Sequence, residues 1–236
     1  MRKVAVVLLL LFFVTVYVNA QDFDIQEEKP KNMFIAVGLA GSYLGETFLG
    51  GRGAFGYYTS AKSYLSAELN AGGYSAGKIG GYSYTVTYYH PYHQDTYHDG
   101  KINYIYTTYD FLLSWNYLFS LSESDKTQLR IGASAGVLSI TGEESYDPTE
   151  FDGEKIRGIP DTHSETQTTV AGGVNLGFIW NFHNRWFADF GYRLLANPGI
   201  SFDERTIRID NTDITIAKHE FDAIQHHVNI TLGWRF

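Results

Sequence analysis

The feature that most constrains this chain is a period-two alternation of apolar with small or polar residues, recurring from about Met33 to Phe236. Strand side chains point by turns to opposite faces, whereas a helix needs a period near 3.6, and no convincing helical stripe is present. At the C-terminus Val228, Ile230, Leu232, Trp234 and Phe236 alternate with Asn229, Thr231, Gly233 and Arg235. Between Tyr104 and Phe119 one face carries Ile105, Tyr109, Phe111, Leu113, Trp115 and Phe119, and the other Thr108, Asp110, Ser114 and Asn116. Leu129, Ile131, Ala133, Ala135 and Val137 oppose Arg130, Gly132, Ser134 and Gly136. Val174, Leu176, Phe178 and Trp180 oppose Asn175 and Gly177, and Trp186, Phe190 and Tyr192 oppose Asp189, Gly191 and Arg193. Together with weaker runs, the pattern predicts eight strands over 33–43, 52–61, 63–76, 102–119, 127–141, 165–181, 185–196 and 221–236. Several reach the ~9–11 residues with which a tilted strand crosses a bilayer.

The connections alternate as well. Those after the second, fourth and sixth strands are short, and those after the first, third, fifth and seventh are longer. Pro91, Pro148, Pro160 and Pro198 fall in the last three long ones and Pro30 precedes the first strand. Proline cannot donate to an interior ladder, so its confinement there supports the boundaries. Short turns at one end and long loops at the other describe an up-and-down meander.

Lipid offers no hydrogen bonds, so a membrane barrel turns its apolar face outward and its polar face inward. The polar face here is rich in Gly, Ala and Ser, with Glu68, Asp110, Arg130, Asp189, Arg193 and Arg235 interspersed. Small residues with a few charges of both signs suit a narrow lumen. All four tryptophans, Trp115, Trp180, Trp186 and Trp234, fall toward the short-turn end, and with Phe236 they form an expected interfacial aromatic girdle. Averaging a lipid-facing and a lumenal face also explains an aromatic content of 16% beside a mean hydropathy of −0.19. The expected fold class is an all-β, antiparallel, up-and-down transmembrane β-barrel of eight strands.

Residues 1–20 carry a basic start (Arg2, Lys3), an apolar run Val4–Val18 and the small-residue site Val18-Asn19-Ala20, the plan of a cleaved signal peptide. Residues 21–32 are then a periplasmic leader and 33–236 the barrel domain. Removing Arg2 and Lys3 leaves 16 basic against 26 acidic residues, a formal charge of −10, which argues against nucleic acid as a partner. With no cysteine, the chain has no disulfide framework, thiolate metal site or cysteine nucleophile.

These features resemble the small eight-stranded outer-membrane β-barrel family of Gram-negative bacteria. The run Val228-Asn229-Ile230-Thr231-Leu232-Gly233-Trp234-Arg235-Phe236 resembles that family's C-terminal β-signal. The resemblance implies residence in the cell outer membrane, outer-membrane lipid as surroundings, and the assembly machinery as a partner of the last strand. It carries no catalytic motif and implies no cofactor.

The loops hold the remaining chemistry. His90, His93, Asp95, His98 and Asp99 in the second long loop could surround Zn²⁺ or Cu²⁺. Their spacing enforces no convergence, and the plainer reading is a Tyr- and His-rich hairpin continuing the third and fourth strands. The third long loop has seven acids between Gly142 and Ser164, a surface for water or divalent cations. Thr206–Ile209 and Asp213–Ala217 predict a further hairpin around Asn211-Thr212. His226 and His227, with Ser164 and Ser201 as neighbours to consider, show no spacing that makes a nucleophile–base pair. The expected role is non-enzymatic: membrane integrity, adhesion, or recognition of an extracellular protein, glycan or lipid through the loops. A lipid-modifying enzyme of the lipid A acylase or deacylase kind is the alternative, and a soluble ligand-binding barrel a weaker one.

Overall fold

In a computed structural model of the chain, the described residues are 32–88, 94–122, 124–147, 150–151, 154–155, 163–209 and 212–236. Eight long strands close into a ring: β1 (Met33–Tyr43), β2 (Thr47–Ser60), β3 (Ser63–Tyr88), β4 (Gln94–Ser120), β5 (Thr127–Asp147), β8 (Ser164–Asn181), β9 (Trp186–Ala196) and β14 (Ile224–Arg235). Every neighbouring pair is antiparallel, and the ring shuts where β1 meets β14, from Phe34 opposite Arg235 to Tyr43 opposite His226. Three two-stranded sheets lie outside the ring. They pair β6 (Glu150–Phe151) with β7 (Glu154–Lys155), β10 (Ile200–Phe202) with β13 (His219–Phe221), and β11 (Arg205–Ile209) with β12 (Thr212–Ile216).

The alternation becomes the two surfaces of the wall. Outward positions are apolar and open, with Leu49 at 70% and Leu39 at 67% exposure, whereas the inward Arg130 and Glu68 are both at 1%. A water-soluble barrel would show the reverse. The wall is therefore built for lipid, with each ring strand laddered to a neighbour on both sides.

Several boundaries differ from those read in the sequence, the last strand beginning at Ile224 instead of residue 221 because His219–Phe221 pairs separately as β13. The connection after β1 is no long loop but a turn over residues 44–46, with Gly45 at a φ of 84°, so β2 begins at Thr47 instead of residue 52. Outward Gly51 and Gly53 had interrupted the apolar rhythm there. The third, fourth and fifth strands also run further than alternation alone indicated, to Tyr88, back from Gln94, and to Asp147. On β5 the outward positions turn polar at Glu143, Ser145 and Asp147, which ended the apolar signal, while the ladder continues to pair Tyr88 with Gln94 and Lys101 with Asp147.

Candidate functional site

Eight strands leave an interior that side chains can fill, and here they do so in three layers. Nearest the short turns, Phe34, Tyr64, Leu118, Ile179 and Phe187 form an apolar layer. Phe34 stands edge-on to both Tyr64 and Phe187, at centroid distances of 5.2 and 5.4 Å. Nearest the long loops, Leu44, Phe48, Leu112, Leu138, Ile140 and Leu195 form a second apolar cluster.

Between them lies an ionic layer. Glu68 accepts from Arg52 Nη2 at 2.8 Å, Arg52 Nε at 3.1 Å, Arg193 Nη2 at 2.6 Å and Ser66 Oγ at 3.0 Å. Asp189 pairs with Arg130 Nη2 at 3.2 Å and Arg52 Nη1 at 3.5 Å, so Arg52 links the two acids. Arg130 crosses the lumen over paired Gly177 and Gly191 and donates to Tyr64 Oη at 3.3 Å. A Cβ on Gly177 would sit 2.6 Å from Arg130 Nη2, so glycine is what the crossing requires. Arg193 also donates to Asn175 Oδ1 at 2.8 Å, and Asn175 joins Ser134 and Asn116. A separate pair, Asp110 with His227 Nε2 at 2.7 Å, spans β4 and β14 with Gln225 beside it. Between Phe34, Arg52, Tyr64 and Asp189 the remaining void is about 10 Å³, no more than about one water.

Arg235, on the inward face at the short-turn rim, donates to Tyr58 Oη at 3.1 Å and Asn181 Oδ1 at 2.6 Å, with its guanidinium 4.6 Å from the Phe187 ring centroid. Asn175, expected on the polar face, belongs to the network, as do Arg52 and Tyr64, which were missed in the sequence. Arg52 stands at an inward position opposite Gly38 and Asn70, a register that only the folded ring supplies. On the outward face Trp115, Trp186 and Phe236 are exposed and Trp180 and Trp234 half-exposed. Trp186 pairs in register with Trp234, and the Trp234 and Phe236 rings stack at 5.2 Å.

The long-loop end is covered by the segment between β9 and β14. Ile200, Phe202, Ile207, Ile214, Ile216 and Phe221 pack onto the upper lumenal cluster. His219 stacks on Tyr106 at 5.0 Å and meets Phe221 edge-on at 4.6 Å. Burial holds the His219 imidazole below its ordinary pKa, against the opposing pull of Glu46. Arg205 forms an ion pair with buried Glu144 on β5, which also accepts from the Tyr146 hydroxyl.

The histidines and serines weighed in the sequence are not brought together. Strand alternation sends His226 and His227 to opposite faces. His226 Nδ1 meets the Tyr192 hydroxyl at 2.7 Å on the outside, and His227 faces Asp110 inside. Neither is hydrogen-bonded to Ser164 or Ser201 among the described residues. No group of three or more His, Asp or Glu side chains gathers at metal-binding range among the described residues. His90 and His93 lie outside the described residues, as do the side chains of Asp95, His98 and Asp99.

No protein-family pattern matches the sequence, and no curated relative matches it. Solved structures do resemble it. Neisserial surface protein A is 12% identical, covers 89% of this chain and all of its own, and superposes with a TM-score of 0.48. A major outer-membrane protein of Thermus thermophilus is 12% identical over 86% of this chain and 99% of its own, also at 0.48. The attachment invasion locus protein Ail of Yersinia pestis, solved with the heparin analogue sucrose octasulfate, is 11% identical over 88% of this chain and all of its own, at 0.47. An apolar exterior, a filled charged lumen and eight antiparallel strands shut into a ring give this chain the architecture of the small eight-stranded outer-membrane β-barrels.

Proposed function

We propose that the protein is a non-enzymatic surface recognition or adhesion barrel whose working part is the sheet that β3, β4 and β5 carry beyond the membrane. The observation that supports this most is strand length. β1 and β9 have 11 residues each, about a bilayer crossing, whereas β3, β4 and β5 have 26, 27 and 21. At ~3.3 Å per residue, the roughly sixteen further residues of β4 extend its ladder by ~50 Å. A filled lumen argues against passage through the barrel, so the projecting sheet and the cover between β9 and β14 are where a partner can be met. The short turns face the periplasm in this reading, with the Trp girdle at the inner interface and Phe236 ending the strand that the assembly machinery reads.

Replacing residues 76–99 by a four-residue turn tests it. The variant is expected to fractionate with the outer membrane and keep heat-modifiable mobility on gels, while cells lose attachment to host matrix proteins or glycans. Unchanged attachment over a panel of such surfaces, with the wild type attaching, would remove the projecting sheet from the function. Protease cleavage of the long loops on intact cells checks the orientation.

A further inference from the structure

The geometry points to a homotypic contact: the free edge of β3 beyond the membrane pairs antiparallel with the same edge of a second copy in a facing membrane. It deepens the adhesive reading above and rests on the ribbon being outside the cell.

β3 loses its β2 neighbour at Gly73, where Leu49 makes the last pair, yet its ladder with β4 runs on to Tyr88. Among the described residues no strand pairs with β3 on that side beyond Gly73. β11 and β12 both come close to β3 but, among the described residues, form no ladder with it. β4 in turn loses β5 above Lys101, so among the described residues no strand pairs with either outer edge of the ribbon of residues 82–88 with 94–100. A lone two-stranded ribbon in water is marginal, and open backbone edges invite another strand.

The two edges are not alike. β4 carries Asp95, His98, Asp99 and Lys101, the charges with which proteins blunt an edge. The lower part of β3 is blunted too, by Lys78 and by register shifts at Ser75/Gly77 and Lys78/Gly80. From Gly80 to Tyr88 the register is regular, and from Ile79 to Tyr89 the sequence has no charge and no proline. That segment is open where its neighbours are defended.

Its sequence also selects the occupant. Tyr82-Ser83-Tyr84-Thr85-Val86-Thr87-Tyr88 reads nearly the same in both directions. Antiparallel pairing centred on Thr85 sets Tyr82 against Tyr88, Ser83 against Thr87, Tyr84 against Val86, and Thr85 against itself. These are the aromatic, hydroxyl and aromatic–β-branched pairs that stabilise sheets. A two-fold interface needs a patch complementary to itself, and this strand provides one. The chain as a whole is acidic, with a formal net charge of −8, so copies of it repel each other and an uncharged strand is where two can meet. Two upright barrels in one membrane send their β3 strands the same way. Antiparallel pairing therefore joins barrels rooted in opposite membranes, where many weak contacts add up.

The absence of cysteine gives a clean test. Tyr82→Cys protein in one population of phosphatidylcholine vesicles is mixed with Tyr88→Cys protein in another, and a short bis-maleimide is added. Covalent dimer at least tenfold above an Asp99→Cys pairing, and lost when Thr85→Lys is added to both partners, is the expected result. Dimer no greater than the Asp99→Cys control, with heat-modifiable barrels and protease-accessible ribbons on the vesicles, overturns the contact. That failure leaves the recognition reading standing, whereas loops resistant to protease on intact cells would remove the reading itself.

Discussion

Glu68→Ala is the sharpest test of how the lumen is held together. The carboxylate receives three arginine hydrogen bonds, at 2.6, 2.8 and 3.1 Å, and one from Ser66, at 1% exposure. Its removal leaves Arg193 with the neutral Asn175 and Arg52 with a 3.5 Å approach to Asp189, which already serves Arg130. Three buried guanidinium groups then share one carboxylate in this layer. Removing one partner of a buried ion pair costs about 3–5 kcal/mol, because the remaining charge stays desolvated. Urea unfolding of the protein refolded into vesicles, followed by tryptophan fluorescence, measures the loss. Adding Arg193→Ala removes one orphaned charge, so the double variant is expected to recover about 1–3 kcal/mol relative to the sum of the single losses. Glu220→Ala is the control: Lys218 and Glu220 approach to 2.6 Å but are exposed, and no change is expected. Equal losses for Glu68→Ala and Glu220→Ala would refute the argument that burial, not distance, sets the strength of these pairs.

Three further outcomes follow from the geometry. Gly177→Ala drives a Cβ into Arg130 and is expected to destabilise by about 1–3 kcal/mol, whereas Gly53→Ala, where a Cβ meets nothing within 4 Å, is expected to stabilise by about 0.5–1 kcal/mol; the same unfolding assay compares them. The cover over the long-loop end should loosen in acid. Burial lowers the His219 pKa below 6.5, so its penalty is absent above about pH 6.5, grows as pH falls through that value, and levels off below the folded pKa. Trypsin cleavage after Arg205 or Lys218 should accordingly accelerate between about pH 7 and pH 5, and His219→Phe should flatten that dependence. Quenchers placed by depth in the bilayer should find Trp180, Trp186 and Trp234 at one interface, with Trp115 somewhat deeper, since it lies five residues inside the end of β4; quenching strongest at the bilayer centre for all four would contradict the girdle.

Strand number, order and facing were legible in the sequence because one physical rule, a polar inside and an apolar outside, was written twice per strand. Ile230 and Thr231 settle their faces by chemistry alone. The rule fails where a residue is neutral to it. Gly51 and Gly53 face lipid with no side chain to declare it, and β2 was read as starting five residues late. Toward the long loops Thr107, Ser139, Thr141 and Thr168 hold outward positions, so the apolar signal faded while the ladder went on. The lumenal partners were further from reach. Alternation sets Glu68 and Arg193 on inward faces, but their 2.6 Å contact joins residues 125 apart in the chain, a fact of ring closure and stagger. The cover shows the same limit: Thr206–Ile209 announced a hairpin, but nothing local told that its isoleucines would fold back onto the lumen.

The seam between β1 and β14 has a consequence for how the molecule is made. β1 and β14 are far apart along the chain, and until both are in place neither β1 nor β9 has a neighbour on that side. In lipid each such unmet backbone group costs several kcal/mol. A growing chain therefore has no stable way to enter the bilayer strand by strand. The ring is therefore expected to enter the bilayer closed, so that the pairing of residues 224–235 with β1 decides whether the other strands have a stable place in the membrane.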